Sequence, residues 1–200
     1  DNYLRFPLLI LYLFSPVANK NDIENTIYKI NNTRYQKSKV CALIAGHDKH
    51  GTRKMIFDGL KELIPIDCAG RWQNNTKDLW EKYNNNKIKY LEEFKFNICP
   101  ENINTKNYVT EKLFEAFLAD SIPIYYGSNN DPEPGLINKD AIIFWKKNSA
   151  NDKAKNLIRE LYLDDKAYSD FIRQRKILPA AVDYIWNRYS TLKMKLEMLN

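Results

Sequence analysis

Thr110-Glu111-Lys112 opens a helical pattern, and its lysine stands where a cation is out of place. The first turn of a helix carries partial positive charge that favours an anion by about 0.3–1 kcal/mol and disfavours a cation by a similar amount. Glu111 suits the position; Lys112 is either a harmless surface lysine or a cation held for an anionic ligand. Close upstream lie Glu101, Asn102 and Tyr108, all able to make hydrogen bonds. A second helix start repeats the anomaly, with Thr52 as a cap followed by Arg53 and Lys54. Two such starts in one sheet suggest a shared anion. A guanidinium at 53 can hold two phosphate oxygens at once, which a lysine cannot.

The flanking elements must place these residues together. Phe96-Asn97-Ile98-Cys99 reads as a strand, Val109, Leu113, Ala116 and Phe117 recur at helical spacing, and Ile122-Pro123-Ile124-Tyr125-Tyr126 reads as a strand closed by Gly127. Strand, helix and strand in that order join parallel strands by a right-handed crossover, with the ligand site expected where the first strand ends. Val40 to Ala45 is a continuous apolar run suited to a parallel strand buried on both faces. A helix from 52 to 64, a strand at 65–68, a helical stretch from 78 to 94 broken at Asn84-Asn85-Asn86, a loop from 128 to 135 and a strand at 141–144 complete the alternation.

Beyond Lys146 the pattern is helical only: Leu157, Leu161 and Leu163 mark one helix, 167–174 a second, and Val182, Ile185, Tyr189, Leu192, Leu196 and Leu199 a third. The expected fold is an α/β doubly wound parallel sheet with a C-terminal helical tail. Its expected division is 1–36 as upstream remnant and linker, polar and Asn/Lys-rich from 19 to 39 with room for one short helix; 37–147 as the ligand-binding domain; and 148–200 as a helical extension.

Two hundred residues, 44% of them hydrophobic and 13% aromatic, allow one domain with a real core. The net charge of +6 favours anionic partners without choosing among nucleotide, nucleic acid and membrane surface. Basic residues are spread through the α/β pattern rather than clustered with aromatics on one face, so nucleic acid is not an expected partner. Cys41, Cys68 and Cys99 are odd in number, lack metal spacing and lie in apolar runs; buried free thiols are expected, as in a reducing compartment. His47 and His50 flank Asp48, but no metal is expected there: such a pair in a loop before a helix reads as loop structure or a phosphate neighbour. Two sequons, at Asn31 and Asn74, carry no weight in an Asn-rich chain.

Leu8 to Phe14 is apolar but far shorter than the roughly 20 residues of a spanning helix, so a buried strand or short helix is expected. The chain opens on Asp1 rather than Met, which suggests that residues precede it.

Glu-Asn, a variable loop, Tyr-Val-Thr-Glu-Lys-Leu, a helix and then Ile-Pro-Ile-Tyr-Tyr-Gly closely resemble the donor-binding core of the α1,3/4-fucosyltransferases, glycosyltransferase family ten. The resemblance covers residues 40–144, with a weaker match at Leu4-Arg5-Phe6-Pro7-Leu8. It implies the Rossmann-like donor domain of a two-domain GT-B enzyme of bacterial type. GDP-fucose would be the donor, with no cofactor required.

Carried over by position, Arg53 and Lys112 would contact the diphosphate, with Tyr108 adding a hydroxyl hydrogen bond. Glu111 would be the catalytic residue of this half, accepting from sugar or ribose hydroxyls or stabilising positive charge on the fucose ring. Asn102 would line the nucleotide pocket with Glu101 beside it, and the Val109 and Thr110 main-chain N–H groups would add donors.

Pro100, Ile103 and Gly46-His47 depart from the family pattern, which has an aromatic, a small hydroxyl residue and Ser-Asn there. The family's catalytic base belongs to an upstream domain that this sequence does not contain. The implied acceptor is an N-acetylglucosamine- or glucose-containing surface glycan such as lipopolysaccharide, and the implied location is the bacterial cytoplasm, peripheral on the inner membrane. The helix over 180–199 either packs on the sheet or the upstream domain, or contributes a membrane contact. The rival reading is a nucleotide-sugar-binding domain without catalysis.

Overall fold

A computed structural model describes residues 4–198. Five parallel strands, β1 (Lys39–Leu43), β2 (Ile66–Cys68), β3 (Phe94–Ile98), β4 (Ile122–Tyr125) and β5 (Ile143–Phe144), form one sheet in the order β2-β1-β3-β4-β5. Cys41 stands opposite Ile66 on one side and Phe96 on the other, and Phe96 in turn opposes Ile122. From β1 the chain turns outward to β2, and from β3 it runs the other way to β4 and β5. The direction reverses between β1 and β3, so a crevice opens above their carboxyl ends, the usual ligand site of doubly wound sheets.

Alternation along the strands fills two faces. Cys41, Leu43, Phe96, Ile98, Ile122 and Ile124 point to one core, shared with α3 (Thr52–Leu60), α7 (Asp152–Leu163) and α8 (Asp165–Ile172). Tyr125 points to the other, shared with α1 (Leu8–Leu13), α2 (Lys20–Asn32), α6 (Glu111–Leu118) and α9 (Ala180–Glu197). Two short helices, α4 (Asp78–Glu81) and α5 (Lys87–Leu91), cover Ala42 and Phe94 with Leu79, Tyr90 and Leu91. The N-terminal segment is tied to the body by a bidentate ion pair, Arg5 to Glu133 at 2.7 and 2.9 Å.

Several expectations are corrected. The 19–39 stretch, expected as a linker with room for one short helix, is mostly helix: thirteen of its residues form α2. Asn19 and Asp22 make a reciprocal capping box, and Ile23, Ile27 and Ile30, spaced four and three apart, are buried against α9 and α1. One narrow isoleucine stripe among Asn and Lys residues was enough for a packed helix.

Phe94 begins β3 rather than ending a helix; it pairs with Lys39, and its carbonyl accepts the Ser121 hydroxyl at 2.8 Å. The helix after β1 stops at Leu60, short of 64, and the last strand is only Ile143–Phe144 because residues 139–141 form a 3-10 turn. In α9 the packed part of the predicted stripe is Val182, Ile185 and Tyr189, while Leu196 is 54% exposed and Leu199 lies outside the described residues. Leu163, expected on a packed stripe, is 73% exposed. The C-terminal helices build the core: Ile158, Leu161 and Ile172 pack under α3.

Candidate functional site

The crevice is built from the loops that follow β1 and β3. In the first, Asp48 turns its carboxylate onto the start of α3: Oδ1 accepts the Arg53 N–H at 3.1 Å and Oδ2 the Lys54 N–H at 2.8 Å. Two orphan donors of the first turn are thereby satisfied by an anion that also suits the helix dipole. The Arg53 guanidinium, 8% exposed, lies 3.8 Å from Asp48 Oδ1 through Nη1 and donates from Nη2 to Asn102 Oδ1 at 3.0 Å. Nη1 is buried and has no hydrogen-bond partner. Buried guanidinium donors are rarely left unpaired.

The second loop uses the same device. Glu101 is fully buried; Oε1 accepts the Thr110 N–H at 2.7 Å and the Tyr125 hydroxyl at 3.3 Å, and Oε2 accepts the Thr110 hydroxyl at 2.7 Å. Lys112 Nζ donates to Thr110 Oγ1 at 2.7 Å and lies 3.5 Å from Glu101 Oε2. Burial first, and then the Glu101 charge, push the Tyr125 hydroxyl far above its usual range, so it stays a donor. Gly127 makes room for this hub. At φ +154° it sits where L residues are rarely found, and a Cβ there would come 2.5 Å from Glu101 Cγ.

Arg53 and Lys112, one from each loop-helix junction, line one cleft with Asn97, Cys99, Pro100 and Glu115. It holds about 20 Å³, against roughly 300–1,000 Å³ for an enclosed small-molecule pocket. The surface is therefore one wall of a site rather than a closed cavity.

The structure thus brings Arg53, Lys112 and Asn102 together, and ties Glu101 and Thr110 into the protein's own hydrogen bonding. The Thr110 N–H, expected as a ligand donor, is taken by Glu101; the Val109 N–H makes no hydrogen bond among the described residues, while its side chain is buried in the core. Glu111 is half-buried beside Lys112, 3.4 Å away. Burial works against its charge, but Lys112, its own main-chain N–H and Lys87 together hold its carboxyl below the usual range. Tyr108 is half-buried, with its N–H bonded to the Thr105 carbonyl and its hydroxyl unpartnered among the described residues.

Three residues that sequence reasoning left without a role belong to this site. Asp48 had a legible signal, an acid just ahead of a helix start. Tyr125 read only as a strand residue. Glu115, one turn along α6 from Glu111, joins the cleft while accepting from Tyr12 at 3.3 Å and pairing with Lys87 at 3.5 Å. Burial raises its carboxyl above the usual value despite Lys87.

Comparison with known proteins gives one consistent result. The family profile described as "Glycosyltransferase family 10 (fucosyltransferase) C-term" matches residues 33–196. The chain is 25% identical over 204 residues to the alpha-(1,3)-fucosyltransferase FucT of Helicobacter pylori, covering 88% of this chain and 41% of that protein. It is 28% identical over 156 residues to a Mus musculus 4-galactosyl-N-acetylglucosaminide 3-alpha-L-fucosyltransferase 9, covering 76% and 41%.

The chain therefore spans about two fifths of the length of the curated relatives it matches. Among solved structures, an alpha1,3-fucosyltransferase with GDP aligns with a TM-score of 0.60 at 22% identity, over 87% of this chain and 57% of that one. Another, with GDP-fucose, aligns with a TM-score of 0.58 at 23% identity, over 86% and 51%. At these identities the structural likeness establishes the fold: the doubly wound sheet is that of the fucosyltransferases, of GT-B type.

Proposed function

The chain belongs to glycosyltransferase family 10, the fucosyltransferases, as their C-terminal domain, and from that premise we propose that it is the donor-binding part of an α1,3-fucosyltransferase-like enzyme. The reaction moves L-fucose from GDP-fucose to a glycan hydroxyl with inversion. One observation carries the reading: Arg53 and Lys112 line one cleft at the reversal point of the sheet, and Arg53 Nη1 is buried there without a hydrogen-bond partner.

When the fucosyl bond breaks, negative charge collects on the departing diphosphate and positive charge on the ring. Arg53 and Lys112 stabilise the first, already oriented by Asp48 and Glu101 so that little reorganisation accompanies the reaction. Glu111, held below the usual carboxyl range by its neighbours, is ionised at neutral pH; it accepts from sugar or ribose hydroxyls or faces the positive ring. Asn102, its Oδ1 given to Arg53, keeps its amide N–H donors for the nucleotide, and Tyr108 adds its hydroxyl.

An acceptor hydroxyl needs a general base to take its proton. Asp48 and Glu101 are bonded into the protein, Glu115 pairs with Tyr12 and Lys87, and Glu111 is given to the donor, so this reading takes the base from none of them. The same observation favours a second reading, donor binding without transfer by these residues alone.

Calorimetric titration with GDP-fucose, GDP and UDP, on the natural chain and on Lys112→Ala, tests the donor site. We expect preference for the guanosine ligands and about ten-fold weaker binding in the variant. Equal affinity for UDP, or an unaffected variant, refutes the assignment.

The proposed acceptor is a glycan containing N-acetylglucosamine or glucose; the Mus musculus relative is named for a 4-galactosyl-N-acetylglucosaminide. A peripheral site on the bacterial inner membrane is proposed from α9, where Met194 and Leu196, with Met198 just past the helix end, are exposed beside Lys193 and Lys195. Co-sedimentation with anionic vesicles, lost on Met194→Ser with Leu196→Ser, is the check.

A further inference from the structure

The start of α3 faces a second space, distinct from the cleft that Arg53 shares with Lys112. A cavity of about 170 Å³ is lined by His50, Gly51, Thr52, Met55, Lys147 and Asn148. Thr52, the first residue of the nine-residue α3, is 6% exposed, and its Oγ1 is buried with no hydrogen-bond partner. A buried hydroxyl left unpaired is destabilising, and native structures rarely tolerate it without a ligand or water to complete it.

The electrostatics of the cavity have one sign. Gly51 and Thr52 at the start of α3 line it, and the cationic character comes from Lys147, because the Arg53 and Lys54 N–H groups of that turn are capped by Asp48. Lys147, from the loop after β5, has no acid partner among the described residues, and neither does His50. None of the six lining residues is acidic. Asp48 is the nearest acid in sequence, and its two oxygens are committed to the Arg53 and Lys54 N–H groups.

Size narrows the ligand. At ~30 Å³ per water the space equals about five or six waters, enough for a tetrahedral oxyanion but below the roughly 300 Å³ of pockets that enclose a nucleotide-sized molecule. Gly51, at φ +69°, brings the loop around so that His50 and Thr52 line the same cavity.

We infer that the N-terminus of α3 holds a second oxyanion subsite, in which the Thr52 hydroxyl, His50 and Lys147 bind a phosphate-class group. The Thr52 hydroxyl and the imidazole donate hydrogen bonds to its oxygens and the ammonium balances its charge. The group is either a phosphate of the donor nucleotide or a separate phosphate carried by another molecule, and the chemistry of recognition is the same.

The test is titration of the chain with inorganic phosphate and with GDP, followed by calorimetry and by the His50 imidazole resonances. Thr52→Val, which preserves shape, and Lys147→Gln should each weaken phosphate about five-fold or more with an unchanged melting temperature. Lys112→Ala should weaken GDP yet leave phosphate within about two-fold, so loss of the donor site and loss of this subsite are told apart. Competition between GDP and phosphate identifies the donor as the source; simultaneous binding identifies a separate phosphate. Phosphate binding that ignores both variants, or no binding at about 20 mM while GDP still binds, overturns the subsite.

Discussion

Arg53 Nη2 donates to Asn102 Oδ1 at 3.0 Å, spanning the crevice between the loop that follows β1 and the loop that follows β3. This bond sets where the guanidinium points. Asn102→Ala should therefore weaken GDP binding by about ten-fold, or 1.4 kcal/mol, although Arg53 itself is intact. In a double-mutant cycle with Arg53→Ala, the coupling should be about 1–2 kcal/mol. Additive losses would show that the two residues meet the nucleotide independently.

Arg53→Lys keeps the charge but loses the planar fork that reaches Asn102 while leaving Nη1 without a hydrogen bond. GDP affinity should fall about as far as in Arg53→Ala, whereas guanosine, which has no phosphate, should be nearly unaffected. Calorimetry with the two ligands separates phosphate recognition from general damage.

Glu101 is a buried carboxylate with Thr110, Tyr125 and Lys112 around it, and its removal leaves their donors unpaired. Glu101→Ala should cost about 2–4 kcal/mol in urea unfolding. Gly127→Ala should be comparably harmful, because its Cβ would sit 2.5 Å from Glu101 Cγ. Native-like midpoints in both would contradict the hub.

At the opposite end of the sheet, Lys176 and Asp120, each 2% exposed, form an ion pair of 2.8 Å. Asp120→Ala strands a buried ammonium and should destabilise by about 3–5 kcal/mol, much of it recovered when Lys176→Met is added. Chemical denaturation of the single and double variants is the measurement.

Lys37 donates to the Glu92 and Ala119 carbonyls at 2.9 and 2.7 Å, and burial, with a contribution from Lys176 and against the pull of Asp120, lowers its pKa to about 8. Its ordinary value is 10.5. Between these values the unfolded chain binds the proton that the folded chain has released, so this group adds stability as pH rises from about 8 to about 10.5 and contributes no slope below that window. Urea midpoints across this range should show an upward component that Lys37→Met removes.

Local pattern carried far in this chain. Val40 to Ala45, Phe96 to Cys99 and Ile122 to Tyr126 announce buried parallel strands, because a strand covered on both faces needs an unbroken apolar run. Lys112 and Arg53 announce themselves because a cation at a helix start opposes a dipole that any helix there must have. The 19–39 stretch misled because its one apolar stripe is narrow, and a helix of that kind is stabilised by α9, more than a hundred residues away, rather than by its own composition.

What sequence alone determined was therefore the strand-helix alternation, the family and the two helix-opening cations. The tertiary structure decided what those cations face. Only strand order places the ends of β1 and β3 side by side. Only that adjacency gives Arg53 its bond to Asn102, and only the folded sheet brings Thr52 and Lys147 to one cavity. Hydrogen bonds and ion pairs act over a few ångströms whatever the separation along the chain, so their partners become defined when the sheet assembles.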